Sequence, residues 1–166
     1  MEVVDQEKIV SAINEKFEGE ILRTEILYDF FTITLKKDKA IEIIRLLYNH
    51  PSTQFQYLTT LCGIHYPDLK QIAMMYQLHN LVTNAQVRLK VYLPEENPTI
   101  PTVTTVFAAA NWLERETYDF FGVIFQVHPN LKRILNVEEM TIFPMRKEYP
   151  LEDQTREDKN DTMFGR

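Results

Sequence analysis

Residues 86–93 read Gln-Val-Arg-Leu-Lys-Val-Tyr-Leu, and this stretch has the clearest secondary-structure pattern in the chain. Val87, Leu89, Val91 and Leu93 alternate with Gln86, Arg88, Lys90 and Tyr92. Because successive side chains of a strand point to opposite faces, this alternation predicts a strand with one face buried and the other in contact with water. The fold therefore includes a sheet that is covered on one side.

Four further strands are predicted before this one, from runs of β-branched, aromatic and aliphatic residues. They lie at residues 21–28, 31–35, 55–62 and 72–79. The first two are close enough to form a hairpin, and we expect its turn at Asp29 and Phe30.

Three helices are predicted from apolar residues spaced three or four apart. The first is expected to follow a cap at Asp5 and to end near Gly19, and the second to follow a cap at Asp38 and to end at His50. The third is expected over residues 105–121, with Gly122 as the residue that ends it.

The elements thus follow the order α-β-β-α-β-β-β-α, which predicts a two-layer α+β domain over residues 1–127. Residues 128–166 are broken by Pro129, Pro144 and Pro150 and are expected to form an extended tail. Within the tail, residues 152–161 have five acidic, two basic and no apolar side chains, so we expect this stretch to be disordered alone or ordered by another chain.

The scarce residues exclude several kinds of cofactor site. The chain has 166 residues but only 4 Gly, too widely separated for a glycine-rich phosphate loop. Its single Cys, Cys62, cannot form an internal disulfide or the four-thiolate ligation of an iron–sulfur cluster, and its 4 His show no metal-binding spacing. The sequence therefore predicts that this chain binds no cofactor or metal.

Charge and hydropathy limit the partners. The net charge of −6 argues against nucleic acid, because binding phosphates requires a surplus of Lys and Arg. The start of the chain has no secretory pattern, and the longest uncharged stretch, residues 98–113, is shorter than the ~20 residues that span a bilayer. Membrane association is therefore expected only through a partner.

Two groups of residues suggest chemistry. Cys62 and His65 are close enough in sequence to suggest a thiol–imidazole enzyme or binding module, although a free Cys at the end of an apolar strand is usually a small core residue. On the third helix, Arg115 and Asp119 are spaced to pair on a solvated face, and that face could also meet another subunit. Glu114 and Glu116 lie too far apart around the helix to act as a catalytic carboxylate pair.

The stretch from Glu114 to Leu135 resembles the signature of the C subunit of respiratory complex I, the NADH:quinone oxidoreductase. The matching positions are Glu114, Arg115, Glu116, Asp119, Phe120, Phe121, His128, Lys132, Ile134 and Leu135. Residues 61–67 and 144–151 are also similar to segments of that family. The family usually has Gly where this chain has Val127, so we do not expect a positive φ angle there.

The resemblance implies a compact α+β domain whose tail wraps over a neighbouring subunit. It implies a non-catalytic subunit of a proton-translocating complex, beside the quinone-site subunit and the terminal iron–sulfur subunit, peripheral to the cytoplasmic side of the inner membrane. The iron–sulfur clusters, FMN and quinone would then belong to partner chains. An equivalent subunit of a ferredoxin-dependent dehydrogenase or of a membrane-bound hydrogenase remains an alternative.

The residues that the resemblance assigns to the signature or the partner interface are Glu114, Arg115, Glu116, Asp119, Phe120, Phe121, His128, Pro129, Lys132, Arg133, Arg146 and Lys147.

Overall fold

The computed structural model describes residues 6–150, which contain three α-helices and seven strands. The helices are α1 (Gln6–Asn14), α2 (Ala40–Asn49) and α3 (Ala110–Phe121). The strands are β1 (Ile21–Leu27), β2 (Phe30–Leu35), β3 (Tyr57–Tyr66), β4 (Gln71–Asn80), β5 (Ala85–Pro94), β6 (Thr99–Pro101) and β7 (Ile124–Gln126). The predicted α+β class and the order of the main elements are confirmed, and the structure adds β6 and β7.

Five strands form one sheet in the order β1-β2-β5-β4-β3. The β2–β5 pair is parallel, and the other three pairs are antiparallel. The short strands β6 and β7 pair in parallel and flank α3 in sequence. This pairing brings the chain that precedes α3 next to the chain that follows it.

The five-stranded sheet has an inner face and an outer face. Leu89 and Val91 of β5 are fully buried on the inner face, where they join one hydrophobic core with the buried residues of α1 and α2. The outer face carries Arg88, Lys90 and Tyr92, which stay partly exposed. The alternation predicted for residues 86–93 is therefore confirmed.

Five predicted boundaries are wrong. Helix α1 ends at Asn14 and not near Gly19, and the strand predicted at residues 55–62 runs over Tyr57–Tyr66. The β1–β2 turn lies at Tyr28 and Asp29, whose positive φ angles of 50° and 67° give the geometry of a two-residue hairpin. Asp38 does not cap α2, because that helix begins after Lys39 without any side-chain cap. Helix α3 begins at Ala110 because residues 104–106 form a separate turn. The predicted cap at Asp5 and the acidic stretch 152–161 lie outside the described residues.

Candidate partner interface on helix α3

Helix α3 carries three charged side chains that are buried rather than solvated. Glu114 and Asp119 are fully buried and Arg115 is nearly so, which contradicts the expectation of a solvated charged face. Glu116 is the exception and remains partly exposed. A buried charge is costly unless it is paired and hydrogen-bonded, so the partners of these groups define the site.

Asp119 holds the chain that follows β7 against α3. Its Oδ2 accepts hydrogen bonds from the backbone N–H groups of Ile134, Leu135 and Asn136 at 3.1, 2.8 and 2.9 Å. Its Oδ1 accepts from Arg133 Nη1 at 2.7 Å and from Asn136 Nδ2 at 3.1 Å. Burial alone would raise the pKa of Asp119, but these donors outweigh it and hold the pKa far below its usual value. Asp119 is therefore an ionised anchor for residues 133–136.

The predicted pairing of Arg115 with Asp119 is wrong. Arg115 donates instead to the backbone carbonyls of Lys132 and Arg133, at 3.2 and 3.4 Å. Arg133 takes its place beside Asp119, donating to both the side chain and the backbone carbonyl of that residue. Helical spacing permits a pair between Arg115 and Asp119, but a segment distant in sequence competes successfully for both groups.

Arg133 also fixes the next part of the tail. Its Nη2 donates to the carbonyls of Met140 and Ile142, at 2.7 and 3.0 Å. Since an Arg guanidinium has five donors in a rigid plane, one side chain can join three stretches of backbone in this way. The loop between residues 133 and 142 is thus closed by a single residue.

Residues 143–147 form a second attachment. Arg146 Nε donates to the Phe121 carbonyl at 2.8 Å, and the Met145 N–H donates to the Phe120 carbonyl at 3.2 Å. These contacts satisfy carbonyls at the end of α3, which have no partner within the helix. The Lys147 N–H donates to Nδ1 of His65 at 2.8 Å, so the tail also reaches the end of β3.

Glu114 and His128 form a buried polar cluster at the start of α3. Glu114 accepts hydrogen bonds from the Thr102 hydroxyl at 2.6 Å and from the Val103 N–H at 2.7 Å. Burial nevertheless outweighs these donors and raises the pKa of Glu114 to about 7. His128 Nε2 lies 3.8 Å from Glu114 Oε2 and 3.3 Å from the carbonyl oxygen of Asn111.

The hydrogen bonds of His128 show which ring nitrogen carries the proton. Its Nδ1 accepts from the Asn130 N–H at 3.0 Å, so the ring proton lies on Nε2, which can donate to Asn111. Burial lowers the pKa of His128, and the nearby Arg115 lowers it further. The cluster therefore joins the start of the tail to α3 through a neutral imidazole.

The outward side of the same tail exposes several large apolar side chains among polar ones. Leu135 and Val137 are 63% and 64% exposed, and Met145 is 49% exposed. Trp112 on α3 is also exposed, and Pro129 and Lys132 lie on the same outward-facing chain. Buried polar groups therefore hold residues 128–150 on the side that faces α3, while large apolar side chains on the other side point to solvent. This arrangement is typical of protein interaction sites.

Val127 contradicts the sequence expectation. Its φ angle is 62°, in the left-handed region that a β-branched residue rarely adopts, and its side chain is 90% exposed. The backbone therefore keeps the conformation that suits Gly. The exposed position leaves room for the Val side chain, so the strain is confined to the backbone.

Cys62 and His65 do not form a catalytic pair. The β3–β4 register places Cys62 opposite Met75 on the outer face and His65 opposite Ile72 on the inner face. Burial raises the pKa of the Cys62 thiol, which disfavours the reactive thiolate. The thiol–imidazole hypothesis therefore gains no support from the geometry.

Residues 6–150 contain neither a metal-binding cluster nor a membrane-spanning helix. No group of three or more His, Cys, Asp or Glu side chains in this range could hold a metal ion. None of the three helices has the length and apolar character needed to cross a membrane.

The fold and the attached tail define a class of protein, a small α+β domain with an extended C-terminal segment packed on its last helix, and solved structures with this fold resemble the chain. One is a chain of the membrane-bound sulfane sulfur reductase, an archaeal respiratory membrane complex, with a TM-score of 0.73 over 87% of this chain and 85% of that one. At 24% identity it shows the fold alone. A trypsin-resistant fragment of Nqo5 is 27% identical, with a TM-score of 0.62 over 76% of this chain and 98% of the fragment.

The family model of the respiratory-chain NADH dehydrogenase 30 kDa subunit matches residues 33–155. The chain belongs to this family. The C subunit of NADH-quinone oxidoreductase from Geobacter metallireducens is 33% identical over 93% of this chain and 96% of its own length. The corresponding C subunit from Mycolicibacterium gilvum is 36% identical over 90% of this chain and 67% of its own length.

Proposed function

We propose that this chain is a non-catalytic subunit in the peripheral arm of a proton-translocating NADH:quinone oxidoreductase. It supports assembly beside the quinone-site subunit and the terminal iron–sulfur subunit, on the cytoplasmic side of the inner membrane. The FMN, the iron–sulfur clusters and the quinone are held by the partner chains. The relatives from Geobacter metallireducens and Mycolicibacterium gilvum carry the name of this oxidoreductase, which supports the proposal.

The observation that carries the proposal is the arrangement of residues 128–150. Asp119 and Arg133 fix the backbone of this segment, while Leu135 and Val137 face solvent. A segment that is already ordered loses less conformational entropy on binding than a flexible one, so its exposed apolar residues contribute more of their burial to affinity. The segment is thus built as a preformed docking surface.

The division of the chain follows from this role. On this proposal, residues 1–127 are the compact domain and residues 128–166 are the partner-binding tail. Its described part uses the end of α3 as a support, since Arg146 satisfies a carbonyl there. Arg146 and Lys147 thereby set the course of the chain toward the partner.

The double substitution Leu135→Asp/Val137→Asp tests the proposal in the host cell. Desolvating two carboxylates in an apolar interface is costly, so we expect at least about tenfold less assembled complex, with a parallel loss of membrane NADH:quinone oxidoreductase activity. The matched control is Leu81→Asp/Val82→Asp, which alters an equally exposed Leu–Val pair in the β4–β5 turn.

The assay measures the complex recovered with the tagged chain, and the melting temperature of each purified chain. Unchanged recovery with Leu135→Asp/Val137→Asp contradicts the proposed docking surface. Recovery of the wild-type chain as a monomer, without any iron–sulfur partner, contradicts the proposed function as a whole.

A further inference from the structure

The outer face of the five-stranded sheet is a second surface, separate from the hydrogen bonds that hold residues 128–150 to α3 and to His65. Register places Cys62, Met75, Lys90 and Thr34 side by side across four neighbouring strands. The helices pack on the inner face, whereas the β5 side chains Arg88, Lys90 and Tyr92 remain partly exposed on the outer face.

Lys90 lies at the centre of this face between two aromatic rings. Its Nζ is 4.8 Å from the ring centre of Tyr66 and 4.9 Å from that of Tyr92, and it donates to the Tyr66 hydroxyl at 2.9 Å. Burial lowers the pKa of Lys90, but hydrogen bonds to the hydroxyls of Tyr66 and Tyr92 outweigh it and leave the pKa above its ordinary value. The ammonium group is therefore a fixed positive charge.

Arg88, two residues before Lys90 on the same face of β5, also lies against an aromatic ring. Its guanidinium carbon lies 4.4 Å from the ring centre of Phe30, and its Nε donates to Gln77 Oε1 at 3.1 Å. Gln77 in turn donates to Gln86 at 3.1 Å. A side chain held by a ring and an amide has fewer rotamers to lose on binding, so Arg88 is also positioned in advance.

The two charges have no acidic partner within the described part of the chain. No carboxylate of residues 6–150 lies within ion-pair distance of Arg88 or Lys90. The ion pair Arg23–Glu25 of β1, at 2.7 Å, is neutral overall. The outer face is thus a basic surface on a chain whose net charge is −6.

Small and apolar residues surround the two charges. Ala73 lies between Ile64 of β3 and Tyr92 of β5, and these larger neighbours bury it completely. Cys62, Ile64 and Met75 are partly exposed around it. A basic centre with apolar surroundings fits a polypeptide segment better than a free ion.

We infer that the outer face is a docking surface for an extended, acidic segment of a partner subunit, whose carboxylates pair with Lys90 and Arg88. The inference rests on the proposed function, since the partner belongs to the same complex. Charge complementarity decides the chemistry of the partner, because a basic or purely apolar segment would leave two partly buried cations unpaired.

The only cysteine of the chain, Cys62, provides a native probe of this face. It lies two strands from Lys90 in the same row, at about 10 Å given the usual spacing of strands. The purified full-length chain and the intact complex are treated with N-ethylmaleimide at pH 8.5, and modification of Cys62 is followed by mass spectrometry. We expect at least about tenfold slower modification of Cys62 in the complex.

Charge variants link this protection to the two cations. Arg88→Met/Lys90→Met keeps the long side chains and removes the charge, so modification in the complex should approach the rate of the isolated chain. Arg88→Lys/Lys90→Arg keeps the charge and should retain protection. Lys16→Met, which alters an exposed lysine beyond α1, is the matched control and should also retain protection.

Three outcomes overturn this inference alone. Equal modification of Cys62 in the isolated chain and in the intact complex leaves the proposed function standing and contradicts only this docking surface. Faster modification of the isolated chain after truncation at Pro150 assigns the face to the chain's own C-terminal residues. Protection of the isolated chain by vesicles of phosphatidylglycerol assigns it to anionic lipid. A fourth outcome, failure to recover any complex with the wild-type chain, contradicts both proposals.

Discussion

At the scale of single residues, Asp119 is the group on which the position of the tail depends. It accepts hydrogen bonds from three consecutive backbone N–H groups, at Ile134, Leu135 and Asn136, and from the Arg133 guanidinium. A backbone N–H buried without an acceptor costs free energy, and so does a cation that loses its anion. The carboxylate therefore stabilises residues 133–136 as one unit.

Asp119→Asn should reduce the free energy of unfolding by about 3 to 5 kcal/mol. The NH2 group of Asn would face the N–H groups that now donate to the carboxylate, and Arg133 would lose its anionic partner. Urea unfolding at pH 7 measures this. Asp29→Asn is the control, since Asp29 is exposed in the β1–β2 turn and Asn tolerates its positive φ angle. A similar change in the two variants would show that the buried carboxylate has no special role.

The lowered pKa of Asp119 makes its contribution to the free energy of unfolding depend on pH. Because the folded pKa lies below the unfolded value of 3.8, the stabilisation by Asp119 is present above that value and is lost as the pH falls below it. The free energy of unfolding should therefore fall less in acid for Asp119→Asn than for the wild-type chain.

The contribution of Glu114 to the free energy of unfolding should depend on pH in the opposite direction. Its folded pKa of about 7 lies above the unfolded value of 4.5, so the folded state binds more protons between these values. The stabilisation is complete below pH 4.5 and is lost as the pH rises through 7. The stability of the wild-type chain relative to Glu114→Gln should fall by up to about 3 kcal/mol over this window.

Unfolding free energies of both chains at a series of pH values measure this difference. His128 is present in both chains, so its own titration largely cancels in the comparison. Parallel stability curves would show that the Glu114 carboxyl group ionises in the folded state as easily as in the unfolded state.

At the scale of elements, α3 depends on two glycines for its close contacts. A Cβ atom added at Gly63 of β3 would lie 2.8 Å from the Phe121 ring, so this Gly lets the end of α3 approach the sheet. Gly122 ends α3 at a φ angle of 75°, and a Cβ atom there would lie 2.5 Å from the ring of Phe143. The end of the helix and the course of the tail are therefore set at one position.

Gly122→Ala should cost more than Gly19→Ala, although the two glycines have nearly the same φ angle, 75° and 77°. Backbone strain of about 1 to 2 kcal/mol is common to both variants. Only Gly122→Ala displaces Phe143, because a Cβ atom at Gly19 meets no atom within 4 Å. We expect about 1 to 3 kcal/mol more destabilisation and faster hydrogen exchange at residues 143–147.

Hydrogen exchange followed by mass spectrometry checks the local effect, and urea unfolding checks the global one. Equal destabilisation of the two variants, with no local increase in exchange, would contradict a role for Phe143 in holding the tail.

The sequence predicted these elements well where one chain segment decides the structure. Alternation defines β5 whatever surrounds it, and Gly122 is recognisable as a helix end from its position after Phe121. The β1–β2 turn was misplaced by one residue, and the start of α3 was misplaced because the segment before it is held by residues distant in sequence. Thr102, for example, is held by Glu114, twelve residues away.

At the scale of the whole molecule, the fold class was predictable and the contacts of the signature were not. Arg115 and Asp119 were expected to pair, because helical spacing is all that the sequence shows. Their true partners lie in residues 132–136, and only the folded chain brings that segment back to α3. Likewise, nothing in the sequence places Phe143 over Gly122.

The residues singled out from the resemblance thus fall into two groups. Asp119, Arg115 and Arg133 point inward and shape the tail, while Pro129 and Lys132 lie on its exposed side. Assignment of these residues to a partner interface stays a prediction. The inward group would act on the partner only through the shape of the tail.

We propose that residues 128–150 dock on the neighbouring quinone-site subunit, and photo-cross-linking in the intact complex tests this central proposal most directly. A benzophenone amino acid is placed at Val137 in one variant and, as a control, at Leu81 in another; both positions are exposed. We predict cross-links from position 137 to the quinone-site subunit and none to it from position 81. Intact complex without any cross-link from position 137 to that subunit would contradict the claim.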